Sequence, residues 1–463
     1  MNSLRNILRA FREIETGTVL LGAVLLCFAA GYNMYPLVYP DTGTYIVTGL
    51  ESRVPADRPL LYGLFLRHTS MRATMWFALF AQALLVSSVV FGFVKTYFRQ
   101  YRYRLIYLGL LIPLISCTAL SIKTSTLIPD VFTPLPILCF FILLHGADNK
   151  VLRWWYIAIT ILCIGTHQSH LLMLSIALGL YGFWLLIRKQ FRPVMLQWRK
   201  ATFMVPICVL GFFITPIINT IYSGKFFWSK SDGIFFMGRF ADNGLLQTYL
   251  KENCHCENLE LCQYQEKIPV DFLWDSSSPL YKMGGWENPP AEYDQIVRNI
   301  LTTPRYLGMF IYKSIASSFT QFFSFQISVR AENAPMSFDS PPYYALKTVY
   351  HHESGTYVFS NQNTGRLDYT AIDARQTWFI TILLSGFVLM LIAGYKDDIR
   401  ALIPVIALIV LYTIANAIVC GTLSIPNPRY QTRVFWLIPL VLMMAMLKVW
   451  LGRKAENPAK TGL

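Results

Sequence analysis

Charge is what this chain has least of. Only 14% of its 463 residues are charged, against about 25% in soluble domains, while 54% are apolar. That shortage excludes a soluble globular enzyme and leaves an α-helical polytopic membrane protein. Metal-binding patterns are scarce too. No H-E-x-x-H and no third ligand lies near His167 and His170, so their spacing of three supports hydrogen bonding or packing better than zinc. No basic–aromatic groove for nucleic acid is present, so the net charge of +14 needs another explanation. No small-residue cleavage site follows the first apolar run, so the N-terminal MNSLRNILRAFREIETG reads as the flank of an uncleaved span.

What is present is a series of apolar runs. About ten transmembrane helices are expected, at 18–38, 73–94, 105–120, 131–146, 154–166, 170–187, 201–222, 377–394, 401–420 and 434–451, against a usual span of ~20 residues. The fifth is short and is separated from the sixth only by a tight turn at 166–169. With the N-terminus cytoplasmic, the inner segments 1–17, 95–104, 147–153, 188–200, 395–400 and the tail from Lys448 hold 20 of the 40 Lys+Arg residues but 6 of the 26 acids. The outer side keeps the other 20 basic residues and 20 acids. The whole excess of positive charge therefore lies inside, as expected of cytoplasmic loops, with both termini cytoplasmic. The inner loop RKQFRPVMLQWRK suits anionic lipid head groups.

Three parts follow: an N-terminal transmembrane module, 1–222, with a first outer loop at 39–72; a long extracytoplasmic loop domain, 223–376; and C-terminal transmembrane helices with a cytoplasmic tail, 377–463. The outer domain contains the stretch from Pro304, PRYLGMFIYKSIASSFTQFFSFQIS. Lys313, Gln321 and Gln326 interrupt it, so it is expected to form an amphipathic helix on the outer surface near 304–328. The domain holds three of the nine cysteines. An odd number implies one disulfide and one free thiol; a Cys254–Cys262 bond closes a modest loop and leaves Cys256 free, with zinc the weaker alternative because CHC…C lacks a second closely spaced pair. The other six sit in or beside apolar spans, as packing residues.

The first outer loop is too rich for a connector. Tyr39 to His68 holds Asp41, Glu51, Asp57, Arg53, Arg58, Arg67 and His68, with polar and apolar residues at helical spacing. Asp130 opens the fourth span, His167 and His170 lie in the next outer turn, and Arg429, Tyr430 and Arg433 precede the last span. Each has a plain reading: a solvated loop, an acid complementing a helix dipole, or Arg and Tyr anchoring a span end. Together they emerge on one outer face. A carboxylate that activates a nucleophile, with several cations that hold an anion, suits transfer from a phosphate leaving group. Outside the cell such a donor would be lipid-linked and would reach the site through the bilayer.

In this respect the chain resembles the polytopic GT-C glycosyltransferases, which use polyprenyl-phosphate sugars. The likeness rests on PDTGTYI soon after the first span, on DRPLLYGLFL after it, and on the late PRYQTR. It covers residues 1–222 in architecture. The stretches LLQTYLKENC, LCQYQ and FLWDSSSP resemble a group of bacterial membrane proteins, which implies the bacterial cytoplasmic (inner) membrane. The resemblance implies Asp41 as general base and inversion at the anomeric carbon. It implies Arg58, Arg429 and Arg433 on the donor phosphate, helped by His167 and His170, with Tyr45 and Tyr62 stacking on sugar or lining a lipid groove. Asp57, Asp130 and Tyr430 complete the substrate-binding set. The acceptor is a glycan, a lipid or a protein. PDTGTYI has one acid where some relatives have a pair, so a divalent metal, Mg or Mn, stays open. A transporter or flippase for a lipid-linked saccharide, a membrane acyltransferase using His170, and an assembly scaffold are the competing classes. Transporters concentrate ionisable residues at mid-membrane, and here the spans hold few.

Overall fold

The computed structural model describes residues 15–146, 149–188, 204–256, 258–327, 338, 340–395 and 399–456. The basic N-terminal flank, most of the 188–200 loop and the last residues of the tail lie outside these. The fold is all-helical, 75% helix, and the only strand-like feature among the described residues is an isolated bridge between Leu37 and Thr126. Seven described helices are long and apolar enough to cross a membrane: Thr16–Asn33, Met75–Phe98, Gln168–Ile187, Met204–Ser223, Tyr369–Ile392, Ile403–Leu423 and Pro428–Arg453. The other three expected spans form shorter helices. Tyr103–Cys117 ends before an extended Thr118, Leu135–His145 follows a 3-10 turn at Pro129–Phe132, and Lys150–Thr166 has 17 residues. The eighth expected span begins earlier, at Tyr369. The helix Pro304–Phe323 is long enough to cross but is not among the seven.

Met75–Phe98 is the bundle's centre, its residues mostly buried because other helices cover it on several sides. Thr74 caps its start by accepting the Trp76 N–H. Thr16–Leu26 and Tyr103–Cys117 close on it where Gly22 has no side chain: a Cβ there would lie 1.9 Å from the Tyr107 hydroxyl. Into that space fits Ser87, which donates to the Val19 carbonyl at 2.6 Å and lies 2.8 Å from the Tyr107 hydroxyl. Small residues of this kind let membrane helices approach closely.

The first span breaks at Cys27 and resumes as Phe28–Asn33. A break in an apolar environment leaves backbone groups that only neighbouring protein can satisfy. The short helix Leu120–Ser125 does this. Ser121 accepts the Ala29 N–H and donates to the Leu26 carbonyl, and Ser125 accepts the Ala30 N–H.

Beyond the break, the chain is tied to residues 351–362. Gln362 bonds both the N–H and the carbonyl of Val38, and its own N–H meets Asn33 Oδ1. The carboxylate of Glu353, nearly buried, accepts from Tyr35, Thr74 and the Met75 N–H. Residues 39–72 then form two helices, Pro40–Glu51 and Leu61–Thr69, which cross at glycines. A Cβ on Gly49 would lie 2.2 Å from the Gly63 carbonyl oxygen, and one on Gly43 would lie 2.4 Å from the Pro341 backbone.

Residues 234–310 have a core of their own, built around Met237, Phe240, Leu246, Tyr249, Tyr293 and Ile296. Cys254 and Cys262 are disulfide-bonded at its edge, with Cys256 exposed and unoxidised. Pro304–Phe323 links this core to the bundle. Tyr306 and Phe310 pack within it, while Ser318 meets Gly421 and Gln321 bonds the backbone of Asn427 at both ends of its amide. Ile311, Tyr312, Ile315 and Phe319 remain exposed. Arg239, fully buried, donates to the carbonyls of Gly421 and Thr422. It thus holds a cation where the carbonyls of Ile403–Leu423 are left open at its C-terminus.

Candidate functional site

Two short local rules place the charged side chains. Pro40 starts the first loop helix, a position where its missing N–H costs nothing, and Asp41 follows in the first turn, where the dipole favours an acid. Thr42 locks this start by accepting the Tyr39 N–H and donating to the Leu127 carbonyl. In the second case Asn427 caps the helix Pro428–Phe435 by accepting the Arg429 N–H. Arg429 and Arg433 are four apart on that helix and so share a face.

Packing then brings both helices against the 3-10 turn that carries Asp130. One continuous ionic chain results. Asp57 accepts from Arg58 Nε at 2.9 Å, and Arg58 reaches Asp41 at 3.2 Å. Asp41 meets Arg429 at 3.1 Å, Arg429 meets Asp130 at 2.8 Å, and Asp130 meets Arg433 at 2.9 Å. Exposure peaks at Asp41 and then falls toward Arg433: Asp57 is 15% exposed, Arg58 10%, Asp41 24%, Arg429 10%, and Asp130 and Arg433 1%. Asp41 is thus the carboxylate nearest to solvent, and Asp130 with Arg433 forms the buried root.

The guanidinium groups are held in fixed planes. Arg429 lies 4.2 Å from the Tyr39 ring and 5.3 Å from that of Tyr430, and Arg433 lies 5.3 Å from Tyr430 on its own side. Arg58 rests on Tyr45 at 5.1 Å. Stacked arginines are preorganised for planar recognition of carboxylate or phosphate. Arg433 is further fixed by Asn416, whose amide also binds Gln431 and the Tyr430 carbonyl. Between Arg429 Nε and Asp130 Oδ2 the contact is an ion pair without an aligned hydrogen bond, so both atoms keep unused bonding capacity in a buried place.

Burial alone would favour the neutral form of Asp41, but Arg58 and then Arg429 outweigh it and hold the carboxyl below the usual aspartate range. His167 sits at the turn between two helices. Burial, with Arg433 adding to it, pushes its imidazole down to about 4, so it is neutral at pH 7. Its Nδ1 accepts from the Ser169 N–H, which leaves the proton on Nε2.

Not every expected residue belongs to a ligand surface. His170 is fully buried behind His167. Its Nδ1 donates to the Cys163 carbonyl and its Nε2 accepts from Thr133, so both ring nitrogens are used inside the protein. Tyr62 is also fully buried, donates to Gln82 and packs on Tyr45, Phe65 and Phe132. Tyr45 is buried beneath Arg58. These three support the site from behind, in place of the substrate contacts expected of them. The cause is that helices Pro40–Glu51 and Leu61–Thr69 turn their aromatic faces toward each other and toward Phe132. Two further residues belong to the site. Lys123 is buried with its charge bearing on Asp130, and Asn416 anchors Arg433. The signal available was a polar residue within an apolar run for Asn416, and for Lys123 its place seven residues before Asp130 in SIKTSTLIPD.

Among the described residues no group of three or more His, Cys, Asp or Glu side chains stands close enough to hold a metal ion. Asp41 and Asp130 are each engaged by guanidinium groups. That set does not fit Mg or Mn, which require several oxygen ligands. Compared with known proteins, the chain matches no family model and no curated sequence, and its fold matches no solved structure.

Proposed function

We propose that the chain is an inverting membrane glycosyltransferase of GT-C-like arrangement. It moves a sugar from a polyprenyl-phosphate donor to a glycan, lipid or protein acceptor on the outer face of a bacterial inner membrane. The observation that carries this reading is the carboxylate of Asp41, the most exposed member of the ionic chain, held between two stacked arginines, Arg58 and Arg429. The acceptor oxygen attacks the anomeric carbon while the carbon–oxygen bond to the donor phosphate breaks. The acceptor proton passes to Asp41, and the electron pair leaves on the polyprenyl phosphate, whose developing charge Arg58 and Arg429 stabilise. Asp130 and Arg433 keep Arg429 in place.

A groove of about 610 Å³ runs beside the Asp41 helix, between Pro40–Glu51 and Pro341–Val349, with Val47, Leu50, Ala345 and Val349 in its walls. It offers a polyprenyl chain an apolar path along that helix. Reading Tyr103–Cys117, Pro129–His145 and Lys150–Thr166 as three short crossings gives ten, with both termini cytoplasmic and 223–376 outside.

The test is reconstitution with a polyprenyl-phosphate sugar and an acceptor, following release of free polyprenyl phosphate. Release that depends on Asp41 supports the transferase. A flippase built on the same charges would move a lipid-linked saccharide across the membrane with its phosphate–sugar bond intact, and that outcome would replace the proposal.

A further inference from the structure

A further cavity lies away from this site. It has a volume of about 820 Å³ and is lined by Lys95, Thr96, Arg99, Tyr103, Asn149 and Lys150 over a floor that includes Ile142 and Leu152. Lys95 is twenty residues along its helix from Met75, about 30 Å at 1.5 Å per residue. The helix that follows Asp130 ends at His145, in the cavity wall. The cavity therefore lies at the opposite end of the bundle from Asp41, which the basic loops identify as the cytoplasmic end.

We propose that this cavity is an anion site for a phosphate-bearing group, filled from the bilayer by the head group of an acidic phospholipid. Three cations line it. Two helices of the bundle, Tyr103–Cys117 and Lys150–Thr166, begin at its wall, so their positive dipole ends add to the field. Lys95 is steadied 5.4 Å from the Tyr103 ring. One carboxylate stands at the edge of the wall: Glu15 accepts from the Tyr103 hydroxyl at 2.6 Å, pairs with Arg104 and also feels the charge of Lys95, so the three cations outnumber it. The volume falls within the ~300–1,000 Å³ of small-ligand sites, and basic cavities between helices on the cytoplasmic side are suited to acidic head groups. Its polar rim and apolar floor match a phosphate with acyl chains attached.

Native mass spectrometry of the full chain from nanodiscs of phosphatidylglycerol or phosphatidylcholine tests this. The wild type should retain phosphatidylglycerol and lose phosphatidylcholine. Lys95→Gln with Arg99→Gln should weaken that retention on the order of tenfold or more, given the share of one basic residue in acidic-lipid attraction. Lys150→Gln, at an exposed position, should weaken it less and guards against misfolding of the double variant. Arg102→Gln with Arg400→Gln removes the same charge from exposed positions outside the cavity and should leave retention unchanged. Millimolar inorganic phosphate that displaces the lipid would make the phosphate group alone sufficient, and failure to displace would assign the whole head group. Equal retention of phosphatidylcholine, or equal loss in the control and the cavity variants, would overturn the proposal.

Discussion

Asp41 is placed under opposed requirements. A general base works best with a pKa near the operating pH, yet Arg58 and Arg429 hold this carboxyl below its ordinary range. In the proposed reaction the donor phosphate draws on the same guanidinium groups, so donor binding raises the basicity of Asp41 at the moment it is needed. Asp41→Asn keeps shape and polarity and should lower turnover by ~10²–10⁴-fold, with a fall in Tm at pH 7 smaller than that of Asp130→Asn because Asp41 is partly exposed; near-normal turnover would remove Asp41 from the mechanism. Because the folded carboxyl titrates below the unfolded one, near ~3.9, its stabilisation is complete above that value and is lost as pH falls through the lower folded pKa. Melting temperature should therefore hold from pH 7 to 5, and its decline at more acid pH should be shallower in the Asn variant. Asp130 should behave otherwise. It is 1% exposed and bound to Arg429 and Arg433, so Asp130→Asn leaves buried cations uncompensated, at a cost of about 3–5 kcal/mol. Its thermal unfolding should shift by many degrees, and a variant as stable as wild type would show that Arg433 is held by Asn416 alone.

At the level of elements, the site depends on close backbone crossings. Gly49 packs on the carbonyl of Gly63 with no room for a methyl group, so Gly49→Ala should destabilise by about 1–3 kcal/mol through overpacking. It should also depress turnover, because it displaces the helix that carries Asp41. Gly109 lies within Tyr103–Cys117 with nothing near it. There Gly→Ala should be neutral or stabilising, by up to ~1 kcal/mol from helix propensity. Chemical denaturation of the two variants side by side checks the contrast. Glu353 is a second such joint: one nearly buried carboxylate receives Tyr35, Thr74 and the Met75 N–H. Glu353→Ala leaves these donors unpaired and should cost about 1–3 kcal/mol per buried group. A melt unchanged by Glu353→Ala would mean that Gln362 and Asn33 suffice to hold residues 351–362 on the first span.

For the whole molecule, the charged loops and the two ends of the bundle make one topological statement. Cys256 is exposed and free, beside the Cys254–Cys262 bond. A membrane-impermeant maleimide should label it in intact cells, whereas a cysteine placed at Arg102 in a Cys256→Ser background should react only after permeabilisation. Labelling of Cys256 only from inside would invert the orientation, placing the Asp41 network in the cytoplasm and the 820 Å³ cavity outside. Both the proposed transferase and the proposed lipid site would then have to be abandoned.

The helical membrane class was determined by sequence alone, since scarce charge and long apolar runs leave no other solvent for these segments. The grouping of Asp41, Asp57, Arg58, Asp130, Arg429 and Arg433 was expected from a topology read off loop charge, and ion pairs join these residues in the structure. What sequence could not determine was partnership. Asp41 and Arg429 are 388 residues apart, and hydropathy is a local average that carries no information at that range. Only packing, at Gly49 against Gly63 and at Gly421 against Ser318, decided that Asp41 meets two arginines while Asp130 is buried beneath them. Packing also turned Tyr62 and His170 inward, because each found its hydrogen-bond partners within the protein. Span lengths were decided the same way. Neighbouring serines satisfy the broken backbone at Cys27, and an extended Thr118 ends its helix early. A hydropathy window averages over such breaks, and only tertiary contacts make them stable.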